Sequence, residues 1–162
     1  MSAHYFFRQL DLLPAEQRAA LKATATNPTI PDVTAHDAFT SVYWNSNLRR
    51  DSSRIVAALY FWHPVGGKLR LPQALARQNG KGDRERNERL LAEILAAPLP
   101  GLPPLLFEAV RRLRAAQVAI NWPQLLADLS KWDRPHKGDT DRIQDVWANC
   151  WLDAVSPTPT RS

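Results

Sequence analysis

Apolar residues recur along this chain three and four apart, in short clusters broken by proline and small polar residues, which is the spacing of amphipathic helices. Tyr5, Phe6, Phe7 and Leu10 set a first short helix. Pro14 opens a second over residues 15 to 24, with Leu21 and the alanines turned inward, because the fixed φ of proline suits the first helical position. Asn27-Pro28-Thr29-Ile30-Pro31 breaks the chain. A third helix follows over residues 35 to 44 through Phe39, Val42 and Tyr43. After the polar turn Asn45-Ser46-Asn47, Asp51 or Ser52 is placed to cap a fourth that carries Ile55, Val56, Leu59 and Tyr60. His63-Pro64-Val65-Gly66-Gly67 ends it.

The second half repeats the pattern. A short helix covers residues 71 to 76, a glycine-bearing loop follows at residues 79 to 83, and Leu90, Leu91, Ile94 and Leu95 define a helix over residues 84 to 96. Pro98, Pro100, Gly101, Pro103 and Pro104 read as a rigid connector. Pro104 starts the next helix, whose stripe is Leu105, Leu106, Val110 and Leu113. Asn121-Trp122-Pro123 starts another, reaching Leu125, Leu126, Leu129 and Trp132. After a loop at residues 133 to 138, the last helix runs near residues 140 to 155 through Ile143, Val146, Trp147 and Trp151. No stretch alternates with period two for long enough to make a strand. The expectation is an all-α fold, a compact bundle of eight or nine short helices forming one unit over residues 1 to 155. If it divides into two small helical lobes, they are residues 1 to 97 and 104 to 155. Residues 156 to 162 are polar and proline-rich, so a disordered tail is expected.

With 162 residues, 44% of them hydrophobic, the chain can bury a core without disulfides or metal. No window approaches the roughly 18 consecutive apolar residues of a membrane span, and the first residues lack a secretory signal, so a soluble, cytoplasmic protein with no membrane partner is expected. Cys150 is the one cysteine, which excludes an internal disulfide and a thiolate cluster. Its place beside Trp147 and Trp151 marks it as core filler.

Candidate catalytic chemistry is sparse. Gly66, Gly67, Gly80 and Gly82 do not match a phosphate-binding loop, and His4, His36, His63 and His136 lack the spacing that sets two imidazoles on one metal. Asp139, Asp141 and Asp145 fall at the start of a helix, where carboxylates suit the helix dipole. No enzyme, metal or cofactor is therefore expected.

Charge is more informative. The net charge is +5, and sixteen of the twenty-one basic side chains are arginine, whose planar fork binds phosphate bidentately. Codon usage in a GC-rich genome gives the same bias, so placement matters more than the total. Residues 49 to 89 hold ten basic and four acidic groups, whereas the chain on either side is nearly balanced. Four groups emerge: Arg18 and Lys22 on the second helix; Arg49, Arg50 and Arg54 around the start of the fourth; Lys81, Arg84, Arg86 and Arg89; and Arg111, Arg112 and Arg114. With no acids evident on the same faces, they read as a track for phosphate backbones, giving affinity without reading bases. Trp122, Trp132, Trp147 and Trp151 sit among leucines and belong to the core. Trp44 and Trp62, near segment ends, stay open between core packing and stacking on bases.

The segment Ile120-Asn121-Trp122-Pro123-Gln124-Leu125-Leu126-Ala127-Asp128-Leu129-Ser130-Lys131-Trp132 resembles the signature region of the CasB family, the small subunit of the type I-E CRISPR Cascade complex. Upstream, Leu75-Ala76, Arg86-Asn87-Glu88-Arg89-Leu90-Leu91 and Arg111-Arg112-Leu113 fall in that family's order and approximate spacing, and the likeness extends over most of the chain. The loop at residues 134 to 138 and the proline-rich connector depart from it. The resemblance implies two small helical lobes and a role without catalysis. It also implies partners: the guide RNA (crRNA) and target DNA, including the displaced strand of the R-loop; the backbone and large subunits of Cascade; and a second copy of the same chain. Lys22, Arg89 and Arg111 fall near basic positions of the family, Arg112 and Arg114 extend that group, and Arg49, Arg50 and Arg54 lie in a variable region. Two other readings stand beside this one: a helical adaptor whose arginines meet acidic protein surfaces, and a sequence-specific helix-turn-helix regulator, which lacks here the short glycine turn that motif favours.

Overall fold

A computed structural model describes residues 3–26, 32–44, 48–77, 82–134 and 142–155. Its order is α1 (Ala3–Asp11), α2 (Ala15–Ala23), α3 (Val33–Tyr43), α4 (Arg50–Tyr60), α5 (Leu71–Ala76), α6 (Asp83–Ala96), a 3-10 turn (Leu99–Gly101), α7 (Leu102–Ala116), α8 (Trp122–Leu129) and α9 (Ile143–Val155). The fold is all-α, with nine α-helices and no strand among the described residues. Lys81, the loop at residues 135 to 138, Asp139, Asp141 and the tail at residues 156 to 162 lie outside them.

Several helix starts follow from local chemistry. Asp32 accepts a hydrogen bond from the Ala35 amide at 3.0 Å and opens α3, and Asn121 does the same for the Gln124 amide at 3.1 Å, with Pro123 in the first turn of α8. The side chain of Gln73 reaches back to the Arg70 amide at 3.0 Å, and Pro72 fits the first turn of α5.

Two boundaries differ from the sequence expectation. Neither Asp51 nor Ser52 caps α4, which begins at Arg50. Asp51 lies inside the first turn, where negative charge suits the helix dipole, and the hydroxyls of Ser52 and Ser53 donate back to the Arg49 carbonyl. The proline-rich stretch, expected as a rigid connector with the next helix starting at Pro104, exposes Pro98, Pro100 and Pro104 but turns its leucines inward. Leu99 and Leu102 are buried, the chain winds through the 3-10 turn, and α7 starts at Leu102 with Pro103 and Pro104 in its first turn, where an amide is not needed.

Helices from both ends of the chain share one hydrophobic core, with Phe6, Leu21, Phe39, Leu59, Leu75, Ile94, Leu106, Trp122 and Trp147 all buried; α4 packs on both α7 and α8, and α5 on α9. Trp122, Trp132, Trp147 and Trp151 lie in this core, as their spacing among leucines indicates. Three indoles also hold backbone or carboxylate: Trp122 donates to the His63 carbonyl at 3.0 Å, Trp132 to the Ala97 carbonyl at 2.9 Å, and Trp147 to Asp128 at 2.8 Å. The segment after α4 is tied to the one before α8 by Gly67 N–H to the Ile120 carbonyl and Asn121 N–H to the Leu69 carbonyl, each 2.9 Å. A side chain at Gly67 would meet Ala119 Cβ at 2.7 Å, so that approach requires glycine.

The most polar point of the interior is Asp128, 1% exposed. Its carboxylate accepts from Arg70 Nε at 2.9 Å and Nη2 at 3.1 Å, from Gln124 Nε2 at 2.8 Å, and from the Trp147 indole, joining α5, α8 and α9. Burial pulls the Arg70 guanidinium down, but the hydrogen bonds and charge of Asp128 outweigh it and raise the group above its ordinary value. Cys150 is half-buried at the edge of this cluster, its Sγ 3.8 Å from Arg70 Nη1, rather than packed in the core as its sequence neighbours imply. The tryptophans of α9 take the inward face and leave Cys150 on its flank.

Candidate nucleic-acid interface

The predicted basic residues fall into three surface regions. On α6, Arg84, Arg86 and Arg89 are exposed, away from buried Leu90, Leu91 and Ile94. α7 packs beside α6 and exposes Arg111 and Arg114, with Arg112 half-buried. Arg86, Arg111 and Arg112 line a common concavity of about 420 Å³ with Asp83, Asn87 and Glu108.

The acids in that concavity correct the expectation of unmatched arginines. Glu108 accepts from Arg111 Nε at 3.0 Å, Arg111 Nη2 at 2.6 Å and Arg112 Nε at 2.9 Å, and Arg86 pairs with Asp83. Arg112 also donates to Asn87 Oδ1 at 2.9 Å. The ion pairs are i,i+3 and i,i+4 partners on one helix, a spacing that sets opposite charges side by side. Burial alone would raise the Glu108 carboxyl, but the two guanidinium groups hold it below its usual range. The concavity therefore keeps one positive charge in excess. Outside it, Arg84, Arg89 and Arg114 form no ion pair with another described residue, but the exposed Glu85, Glu88 and Glu93 of α6 equal them in number, so the outer face of α6 and α7 offers accessible guanidinium groups without a net positive charge.

On α2, Arg18 is exposed and forms no ion pair among the described residues. Lys22 is half-buried, its Nζ 4.6 Å from the centre of the Trp62 ring, and the Trp62 indole donates to the Lys22 carbonyl at 2.9 Å. Trp62 also packs edge-on against Phe107, with ring centres 4.8 Å apart. The question left open for Trp62 is thus resolved as a half-buried platform for Lys22.

The third region lies where α3 meets α4. The rings of Phe39 and Tyr43, one helical turn apart, stack at 5.2 Å with an interplanar angle of 19°. Arg50 Cζ lies 5.4 Å from the Phe39 centroid and 5.7 Å from that of Tyr43, and Arg54 Cζ lies 5.3 Å from Phe39. Neither arginine forms an ion pair among the described residues. Burial and the neighbouring Arg50 charge hold the Arg54 guanidinium below its ordinary value, partly offset by Asp32. Arg49 differs from both. It bonds to Asp51, to Asp133 at 2.9 Å and to the Ser130 carbonyl at 3.2 Å, clamping the start of α4 to the end of α8. Sequence reading gave Phe39 and Tyr43 only as apolar residues of the third helix and missed their service as a floor for two arginines; their i,i+4 spacing ahead of a basic run was the available signal. Trp44, the next residue, is 77% exposed.

Among the described residues there is no cluster of His, Cys, Asp and Glu able to hold a metal ion, and no helix is long and apolar enough to cross a membrane.

Comparison with known proteins extends the picture. Residues 17–151 match the family model of CRISPR-associated protein Cse2. No curated protein sequence matches the chain. Among solved structures, the fold is similar to a CRISPR-associated protein of the Cse2 family from Thermus thermophilus, with a TM-score of 0.73 and 25% identity over 95% of this chain and 100% of that one. It is likewise similar to CasB from Thermus thermophilus, with a TM-score of 0.71 and 23% identity over 95% of this chain and 100% of that one. An all-α fold among the described residues, the order of the chain's motifs and a family match reaching from α2 into α9 agree: the chain belongs to the CRISPR-associated Cse2 family.

Proposed function

We propose that this chain is a non-catalytic subunit of an RNA-guided CRISPR Cascade complex, in which residues 1 to 155 act as one nucleic-acid-binding unit. Its arginines grip the phosphate backbones of the guide RNA, the target DNA and the displaced strand. The backbone and large Cascade subunits and a second copy of the chain are its protein partners. The observation that carries this reading is the set Arg84, Arg89 and Arg114, exposed on neighbouring helices without an ion pair among the described residues, on a chain of the Cse2 family. Accessible guanidinium groups bind phosphate individually, and because strand exchange in an R-loop is close to balance, backbone contacts made only after the strands separate can tip it. Arg18 on α2 adds a further exposed guanidinium, and Lys22, Arg111 and Arg112 contribute less because each already has an internal partner.

The test is a variant carrying Arg84→Gln, Arg89→Gln and Arg114→Gln. Measured against single-stranded DNA over a range of salt, it should bind more weakly, equally so for unrelated sequences. Its log-log salt slope should be shallower by about 2, the loss of three phosphate contacts on a single strand. Unchanged affinity and slope would remove these residues from the interface.

A further inference from the structure

One face of α1 carries His4, Phe7, Arg8 and Asp11 at the i, i+3, i+4 and i+7 positions, and all four line a cleft of about 670 Å³. Gly66, Gly67 and Lys68 line it from the segment after α4, beside the start of α8. Its frame is pinned on each side. The Tyr60 hydroxyl donates to Asp11 at 2.8 Å and ties α1 to α4, the Gly67 and Asn121 amides join the two loop segments, and the Trp122 indole donates to the His63 carbonyl.

The charges in this cleft do not balance. Arg8 and Lys68 are exposed and form no ion pair with another described residue. Arg8 Cζ lies 5.9 Å from the centre of the Tyr5 ring, a contact through the face of the guanidinium that leaves its N–H edges for an anion. Asp11 is the one acid in the lining, and residues 61–70 and 118–127 contain none. Two permanent cations against one carboxylate leave one positive charge in excess, and a concavity with such an excess concentrates counter-ions. The aromatic floor offers no face to a base or to an apolar anchor, because Phe7, Tyr60 and Trp122 are 6%, 8% and 1% exposed. A protein partner gains most of its affinity by burying such an anchor, whereas a phosphate backbone is held by charge alone.

We infer that this cleft is a separate seat for the phosphate backbone of a single strand, gripped by Arg8 from α1 and Lys68 from the segment after α4. The inference rests on the reading of the chain as a phosphate-backbone binder. It adds a contact region outside the basic groups legible in the sequence, with Arg8 lying before the residues that match the family model.

Gly66 gives the test its local probe. A Cβ there would meet no atom within 4 Å, so the position accepts a side chain without a clash, unlike Gly67. The full-length chain is titrated with oligothymidylate over a range of salt, and with oligoglutamate as an acidic peptide. Arg8→Gln with Lys68→Gln should weaken oligothymidylate binding and make its salt slope shallower by up to about 1.4. Gly66→Glu, which sets a carboxylate in the cleft, should weaken it as well, and Gly66→Ser should bind as the wild type does. Gly66→Lys should tighten it. A fold defect from filling position 66 would lower the urea unfolding midpoint of Gly66→Ser and Gly66→Glu alike, in which case the substitutions at exposed Arg8 and Lys68 decide. If Arg8→Gln with Lys68→Gln keeps the wild-type affinity and slope while the Arg84, Arg89 and Arg114 variant is weakened, the seat is overturned and the phosphate-backbone reading stands. Equal binding by correctly folded Gly66→Glu and Gly66→Ser also overturns it. Oligoglutamate bound by the wild type and lost in Gly66→Glu, with oligothymidylate binding intact, would reassign the cleft to an acidic protein segment. If the wild type binds no oligothymidylate at low salt, both readings fall.

Discussion

Replacing Asp128 with alanine should be among the most damaging changes the fold can suffer, although it removes only one small side chain. The carboxylate is 1% exposed and satisfies four donors from Arg70, Gln124 and Trp147. Without it, the Trp147 indole is buried with no acceptor, which costs about 1–3 kcal/mol. A fully buried ion pair broken from one side costs about 3–5 kcal/mol. The Arg70 side chain is 25% exposed, so water recovers part of that second penalty, and half-buried Gln124 can turn outward. A net loss of about 3 kcal/mol follows once both terms are reduced for that access. With a urea m-value of about 2 kcal/mol/M, the unfolding midpoint should fall by about 1.5 M. Asp128→Asn should lie between alanine and wild type, because an amide keeps one acceptor oxygen but turns a donor toward another donor. A midpoint for Asp128→Ala within about 0.3 M of wild type would refute the claim that this carboxylate holds α5, α8 and α9 together.

Glu108→Gln should strengthen nucleic-acid binding. It releases Arg111 and Arg112 from their shared acid and should steepen the salt slope on single strands by up to about 1.4; a slope no steeper than wild type would show that these arginines do not reach the phosphates. The Glu108 carboxyl is depressed in the folded state, so the stability it contributes is present above its ordinary value of 4.5 and is lost as pH falls through the lower folded value. Acid unfolding of Glu108→Gln should accordingly show a weaker pH dependence below that point. Gly67→Ala should destabilise the chain by about 1–3 kcal/mol in urea unfolding, because its Cβ would overlap Ala119 Cβ and the backbone behind it. The Tyr60 hydroxyl donates to Asp11 at 2.8 Å, and burial followed by that bond pushes the phenol well above its ordinary value of 10.0. The stability linked to it is thus complete below 10.0 and declines as pH rises above. Ultraviolet titration should show Tyr60 ionising above 10.0 in the folded protein, as the part of the wild-type phenolate absorbance change that Tyr60→Phe lacks; a missing component near 10.0 instead would refute it.

Helix type and order were legible because each helix carries its own apolar stripe, and capping at Asn121 followed from an asparagine placed before a tryptophan and a proline. The start of α7 was hidden because Leu99 and Leu102 sit among prolines, whose turn-forming character masks two leucines that turn inward. Opposing charge on α7 was available in the i,i+3 and i,i+4 spacing of Glu108 to Arg111 and Arg112, but the sequence reading passed over it, and it changes how many arginines lack a partner. Other pairings were not. Arg49 meets Asp133 across 84 positions and Arg70 meets Asp128 across 58, so only the folded chain shows that one basic residue of the α4 group is a clamp and that a carboxylate in the α8 motif is a buried anchor. The aromatic floor beneath Arg50 and Arg54 depends in the same way on α3 lying against α4.

The most direct test of the central claim is the binding of the unmodified full-length chain to two single-stranded oligonucleotides of unrelated sequence, followed across salt concentration. A phosphate-gripping subunit predicts equal dissociation constants for the two strands at each salt concentration and a linear loss of affinity, on logarithmic axes, as salt rises. Failure to bind either strand at low salt, or strong discrimination between them, would contradict it.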